Sequence, residues 1–444
     1  MIRHGGHLRQ ILREAVHRLF GHLLVRNTMW MIGGQGVRLV IKAVYFVEMA
    51  RSLGSHNYGA FVGVVALVGM ASPFGALGSG NLLIRSISRD KSSFCRCWGQ
   101  SLAVTISCGC ALLATVLLLS RFVLSTEIPL ALVALVGMSD ILGLNIITLA
   151  GQAFTAFEQL KWTAFIWITM SAVRLSGALL LIAVHSHPSA LQWGYLYCAG
   201  NMVVALLAFL LVCHRLGQPE FRQPHVTGDL CEGIYFSISL SAETLYNDID
   251  KTMLARLATL DAAGIYGAAY RLIDVSTVPI ASLLASAYTK LFRVGLGGIG
   301  STFVYTGRLL VRSLAYASVV GVLLLCGANI IPSILGPGYA ETAEALRWLS
   351  VLPTLKSVHY FLADALTGAD YQRLRSLIQV GVAGFNILIN LWIIPAYSWR
   401  GAAWSSIASD GLLACMLSIA VLTLRRRDAA ARETAERTAI GIGI

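Results

Sequence analysis

Arg38 and Lys42 stand four residues apart in an otherwise apolar stretch, so on a helix they share one face. No acid lies one turn from either. Guanidinium and ammonium groups arranged this way suit an anionic cargo, because Arg presents paired donors that match phosphate oxygens. Arg174 and Arg271 stand in two other apolar stretches. Charges in such stretches are expensive and face a partner or a water-filled cavity. Two readings follow. One is a cationic lining that fits a diphosphate or an acidic sugar. The other is structural pairing: Asp250 with the neighbours of Lys251, Arg271 with Asp274, and Lys356 with Asp364. The lack of a nearby acid favours the lining for Arg38 and Lys42. Asp250 and Lys251 fit pairing near the outer surface better, and Arg271 fits both readings.

Asp140, Asp274 and Asp364 are the carboxylates that could carry a coupling ion. Burial penalises the charged form of a carboxylate, which lets it load and release a proton. A structural role competes with that reading at each of the three. Gly295-Leu296-Gly297-Gly298-Ile299-Gly300 formally fits a dinucleotide fingerprint. It lies between two apolar stretches without the strand and helix that the chemistry needs, so it reads as a loop. No Walker A sequence, zinc-binding His-Glu-x-x-His or Gly-x-Ser-x-Gly elbow is present. The nine cysteines are scattered, mostly in apolar runs, where a thiol behaves as a small hydrophobe. No metal site, cofactor or catalytic residue is expected.

These residues need long apolar elements to position them. Of 444 residues, 56% are hydrophobic and only 13% charged, against about 25% charged in a soluble domain. A bilayer core of about 30 Å takes roughly 20 apolar residues per helix. Twelve such spans can be read, near 28–50, 58–84, 98–120, 128–150, 162–184, 191–213, 233–257, 266–289, 309–331, 345–367, 376–395 and 401–424. The spans 233–257 and 345–367 carry several charges and could instead be re-entrant. The polar stretch 214–232 divides the chain into bundles at 28–213 and 233–424. Residues 1–27 read as an amphipathic segment on the cytoplasmic leaflet and 425–444 as a basic tail. The fold class expected is an all-α polytopic membrane protein of about twelve transmembrane helices, in two six-helix bundles around a central cavity.

Lys and Arg concentrate on alternate loops, including Arg85, Arg89, Lys91, Arg96, Lys290, Arg293 and Arg425 to Arg427. The positive-inside rule then puts both termini in the cytoplasm. The net charge of +12 fits attraction to anionic lipid. Nucleic acid is not the expected partner, since the basic residues are spread over separate loops. No cleavable signal peptide is visible.

One motif recurs. Ala50-Arg51-Ser52-Leu53-Gly54 leads to Tyr58-Gly59-Ala60, and Ala255-Arg256-Leu257 leads to Tyr266-Gly267-Ala268. Pro73 and Pro279 follow the two copies at comparable distances and, with Pro353, could kink their helices. Two six-span halves entering the membrane in the same direction is an arrangement of alternating-access carriers.

The chain resembles the polysaccharide transporters of the multidrug/oligosaccharidyl-lipid/polysaccharide flippase superfamily, the Wzx-type O-antigen and exopolysaccharide flippases. The residues that carry the resemblance run in order along nearly the whole chain. They are Arg51 to Gly54 with Tyr58-Gly59, Leu77-Gly78 with Leu83-Ile84-Arg85, and Ile249-Asp250-Lys251. Gly264 to Arg271 follows, then Leu335-Gly336 with Tyr339, Asn386, Asn390, Ile394-Pro395 and Gly401-Ala402-Ala403. Trp399-Arg400 departs from the pattern, since relatives often have glycine there, and only a local change is expected.

The resemblance implies a V-shaped pair of bundles and movement of undecaprenyl-diphosphate-linked oligosaccharide across the bacterial inner membrane by alternating access. It also implies cavity cations on the diphosphate, with Arg38 and Arg271 on the matching spans. A polysaccharide polymerase and a chain-length regulator are the further partners it suggests, beside membrane lipids. A cation-coupled multidrug antiporter and a membrane glycan polymerase or ligase are the competing readings. A cavity lined by Arg38 and Lys42 would repel cationic drugs, and no large extracytoplasmic loop for an enzyme is evident.

Overall fold

The computed structural model describes the backbone of residues 5–185, 187–221 and 229–441. The expected cytoplasmic segments 1–27, 214–232 and 425–444 therefore lie partly outside the described residues. Among the described residues every regular element is helical. In chain order these are α1 (Gly5–Ala76), α2 (Ser79–Arg89), α3 (Phe94–Val123), α4 (Leu130–Gly137), α5 (Leu144–Ala156), α6 (Leu160–Val184) and α7 (Ala190–Arg215). They continue as α8 (Asp229–Leu257), α9 (Leu260–Gly295), α10 (Ile299–Gly327), α11 (Ile331–Leu335), α12 (Thr342–Leu349), α13 (Leu352–Gly368) and α14 (Gln372–Gly441).

Among the described residues, eight helical stretches are long and apolar enough to cross a membrane. Two of them, Gln35–Ile87 and Gln372–Asp428, run to 53 and 57 residues. At 1.5 Å per residue a straight helix of that length would measure about 80 Å, far more than the ~30 Å core. Each is interrupted: α1 turns non-helical at Gly54 (φ 70°, ψ 171°) and α14 at Ser398 (φ 53°, ψ −134°). Glycine adopts the left-handed region without a Cβ penalty, so the first repeat copy places its glycine where the direction changes. The expected span 233–257 is one helix, α8. The expected span 345–367 is two elements, α12 and α13, broken at Ser350-Val351. Pro353 sits in the first turn of α13 and starts that helix, correcting the expected kink. Pro73 and Pro279 do lie inside helices.

The chain divides into two compact units. Unit 1 comprises Met1–Ser52, Val68–Arg121 and Pro129–Ser241. Its core holds Leu83, Trp98, Ile147, Phe154, Met170 and Val204, with Trp98 stacked on Phe94 at 6.2 Å between ring centroids. Unit 2 comprises Leu53–Leu67, Phe122–Ile128 and Ala242–Ile444. Its core joins Leu362 and Leu366 of α13 to Leu413, Leu417 and Val421 of α14. Large apolar side chains also face outward, among them Phe122 at 77% and Trp392 at 85% exposure. Such a surface is costly in water and natural against lipid tails.

The first copy from Leu53 onward and the whole second copy pack inside unit 2. A Cβ on Gly59 would fall 1.7 Å from the carbonyl oxygen of Leu260, and one on Gly264 would fall 2.0 Å from that of Ser55. Gly267 lies against Val62. The glycines are thus fixed by a helix crossing too close for any side chain, the means by which helices approach in membranes.

Candidate functional sites

Unit 1 holds a buried polar centre around Asp140. Asp140 sits on a single π-helical stretch, Met138–Gly143, between α4 and α5. Wider turns of this kind re-aim a side chain and are frequent at functional positions. The Tyr197 hydroxyl donates to both carboxylate oxygens of Asp140, at 2.9 and 3.1 Å. Ser139 donates to Oδ1 at 3.0 Å, and Asn201 donates to the Ser139 hydroxyl at 2.5 Å. Arg174 donates from Nε to Asn201 at 3.0 Å, and its Nη2 stands 3.8 Å from Asp140. The guanidinium also lies over the Tyr197 ring at 4.5 Å. α7 carries Tyr197 and Asn201 and is anchored at its start by the reciprocal Ser189 and Gln192 capping box.

Arg38 stacks on the Trp167 ring at 4.3 Å, and its buried Nε has no hydrogen-bond partner. Arg174 is close enough for its charge to act on Arg38. Lys42, one turn further on, is partly buried. Of the sequence candidates in this unit, Asp140 and Arg174 come together in one network. Tyr197, Asn201, Ser139 and Trp167 were not read from the sequence. A tyrosine or asparagine in an apolar run carries no periodic or motif signal, although a capped helix bearing both was a usable clue.

Unit 2 holds a second centre, on α8, α9, α13 and the later part of α14. Lys251 donates to the Asp248 carboxylate and, at 3.3 Å, to the Asn247 carbonyl, and lies over Tyr270 at 4.2 Å. Asp250 accepts from the backbone N–H of Lys251 at 2.8 Å, from the Tyr266 hydroxyl, and from Ser406 at 3.1 Å. Asp250, Lys251 and Tyr266 are all buried. The motif residues Asp250, Lys251 and Tyr266 thus serve one hydrogen-bonded knot.

Lys356 donates to Asn247 at 3.0 Å and stands 3.8 Å from Asp410. It does not pair with Asp364 as expected; Asp364 instead meets Arg375 at 3.2 Å. Sequence distance misled here, because Asp410 reaches Lys356 from α14 across the bundle. Arg271 and Asp274 form the expected pair, at 3.9 Å, with both side chains nearly half exposed. Tyr58 is buried beside Tyr339 at 6.4 Å, and Arg51 is exposed. Ser55 donates to Asp261, the acid in the first turn of α9. Trp399 donates to Glu341, and Arg400 makes two bonds to Glu344 at 2.9 and 2.7 Å. The departure at these two positions thus ties α12 to α14. Among the described residues no group of three or more His, Cys, Asp or Glu side chains could hold a metal ion.

Helices with outward apolar faces and buried charged knots describe the parts of a membrane protein, without saying whose. The family model for polysaccharide biosynthesis proteins matches residues 24–289. The chain belongs to that family. It is 23% identical over 415 residues to a protein of Escherichia coli (strain K12) named "Putative O-antigen transporter", covering 89% of this chain and 95% of that one. Two solved structures share the fold of this polysaccharide biosynthesis family member. One is an inward-facing multidrug resistance MATE family transporter of the MOP superfamily, with a TM-score of 0.70 and 15% identity over 90% of this chain and 99% of that one. The other is the lipid II flippase MurJ in an inward closed conformation, with a TM-score of 0.71 and 12% identity over 89% and 87%. These identities speak for the fold alone. Together with the family they establish a multi-pass membrane protein of the polysaccharide biosynthesis family with the fold of these two structures.

Proposed function

We propose that this protein moves undecaprenyl-diphosphate-linked oligosaccharide from the cytoplasmic to the outer leaflet of the inner membrane by alternating access, supplying O-antigen, capsule or exopolysaccharide synthesis. The observation that carries the proposal is the family match together with similarity to a named O-antigen transporter along 95% of that relative's length. In this reading the chain crosses the membrane twelve times with both termini cytoplasmic. Arg38, Lys42, Arg174 and Arg271 are the cations offered to the diphosphate. The polyprenyl tail stays in lipid, so that only the polar head has to cross. Polymerase and chain-length regulator receive the glycan after transfer.

The partnering of the four cations differs in ways that bear on this role. Arg174 is committed to Asp140 and Asn201, and Arg271 faces Asp274. Arg38 rests on an aromatic face with a buried, unpartnered Nε, an arrangement that leaves donors available to an anion. The test is a strain deleted for the gene. Polyprenyl-diphosphate glycans should accumulate in the cytoplasmic leaflet while surface polysaccharide is lost. Unchanged surface polysaccharide, in a strain without a second transporter of this class, would contradict the proposal and favour the antiporter reading that the MATE-like fold also accommodates.

A further inference from the structure

Two deeply buried ionisable groups of unit 2 are ones the proposed cargo chemistry leaves unused. His359 of α13 and Asp410 of α14 have side chains only 3% and 4% exposed, with Nε2 and Oδ1 3.6 Å apart. That separation suits an ion pair and is too long for a hydrogen bond. Nε2 of His359 and Oδ2 of Asp410 are both buried without a hydrogen-bond partner. Unpaired polar atoms at such depth are costly and call for an occupant or a change of protonation.

The surroundings say which occupant. From α8 the Tyr246 hydroxyl donates to Asp410, and the Tyr246 ring meets the imidazole edge-on at 6.4 Å. From α13 come Lys356, 3.8 Å from Asp410, and Tyr360, whose ring lies 4.7 Å from the imidazole. From α14 comes Arg375, which is engaged with Asp364 and Thr367. α9 contributes Tyr270, under Lys356 at 5.5 Å. α10 packs against α13 through the uncharged contact of Ser313 with Ser357. A metal cation is disfavoured, because the ammonium of Lys356 already stands beside the carboxylate and a single imidazole and carboxylate make a poor ligand set. A proton needs no shell of ligands.

We propose that His359 and Asp410 form a proton-exchange site, and that its proton is the coupling ion of the transport cycle. This assignment of the ion rests on the transport reading above; the site itself does not. In the unloaded state Asp410 is ionised, accepts from Tyr246 and is balanced by Lys356, while His359 is neutral. Loading takes one proton from water into the pair, where it lies between Nε2 of His359 and Oδ1 of Asp410 and supplies the partner that Nε2 lacks, while Oδ2 faces the ammonium of Lys356 at 3.8 Å. Release returns that proton to water. Each step changes the charge of unit 2 by one, so helices α8, α13 and α14 feel it directly. Asp140, Asp274 and Asp364 are then structural acids, each held by its own arginine.

The test begins with the purified full-length protein in lipid vesicles. Infrared difference spectra across a pH titration should show one carboxylate and histidine signal that is lost in both Asp410→Asn and His359→Gln. It should persist in Asp90→Asn, a substitution in an exposed loop. His359→Gln retains polarity and size, so it reports even if Asp410→Asn fails to fold. A titration unchanged in both variants would overturn the site. The second measurement is vesicle transport of lipid-linked glycan with and without an imposed pH gradient. The gradient should accelerate the wild type several-fold and leave His359→Gln unaffected. Equal acceleration of both would overturn the coupling role. A wild type that titrates normally yet moves no glycan would strike the transport reading and leave the proton site standing.

Discussion

Asp140 is held in unit 1 by three neutral donors and one cation, and the cation decides its stability. Removing Arg174 leaves a buried carboxylate without its counter-charge, a change that costs about 3–5 kcal/mol. We expect Arg174→Met to lower the unfolding temperature of the detergent-solubilised protein sharply, and Arg174→Met combined with Asp140→Asn to recover much of the loss. Additive losses in the double variant would contradict the pairing. Arg38 is a different case, because its guanidinium rests on Trp167 with a donor to spare. Arg38→Ala should reduce glycan transport without reducing protein in the membrane. Arg38→Lys should restore only part, since lysine keeps the charge and loses the planar fork. Full transport by Arg38→Ala would remove this residue from the diphosphate contacts.

At the scale of elements, the helix crossing at the two motif copies has no slack. A methyl on Gly59 would overlap the Leu260 carbonyl oxygen at 1.7 Å. Gly59→Ala should therefore destabilise by more than the ~1–3 kcal/mol of ordinary overpacking. Gly411→Ala, where a Cβ meets nothing within 4 Å, should be tolerated. Comparable yields of both variants from the membrane would show that the crossing can relax. The link between α12 and α14 is softer. Hydrogen bonds from Arg400 hold the Glu344 carboxyl below its ordinary value of 4.5. The folded-state value is thus lower than the unfolded one. The bonus is whole above the ordinary value and disappears as pH falls through the depressed one. Both side chains are 42% exposed, so solvent screening holds the bonus to about 0.5 kcal/mol. Glu344→Gln should lower the unfolding temperature slightly at neutral pH and not at all once the carboxyl is protonated. A loss that persists in acid would point to packing instead of charge.

The sequence shows the helices more clearly than it shows their partners. Apolar runs report burial in lipid or protein, so α3, α6 and α7 are readable almost to their ends, whereas α10 starts at Ile299, ten residues before the expected span. The break at Ser350-Val351 was not readable, because α12 and α13 together have the length and composition of one span. The interruption of α1 at Gly54, by contrast, falls in the gap between the spans read at 28–50 and 58–84. Arg271 with Asp274 could be read, being a pair three residues apart on one helix. Lys356 with Asp410, and Asp140 with Tyr197 and Asn201, could not, since pairing across helices depends on rotations that no single segment encodes. His359 gave no signal at all, as a lone histidine in an apolar helix looks the same whether it is packed or titrating.

The whole molecule is best understood as two helical units, each enclosing its own charged centre. The unit 1 centre is fully hydrogen-bonded around Asp140 apart from one arginine nitrogen, and the unit 2 centre keeps unsatisfied atoms at His359 and Asp410. The central claim, that the protein transfers lipid-linked glycan between leaflets, can be tested directly in vesicles containing only this protein and a polyprenyl-diphosphate oligosaccharide. Sugar in the outer leaflet is oxidised by external periodate, and sugar in the inner leaflet is protected. With the protein present, the account predicts that the protected share becomes oxidised with time, while protein-free vesicles retain it. A protected share that remains intact beside correctly folded protein, with a pH gradient of either direction imposed, would contradict the account.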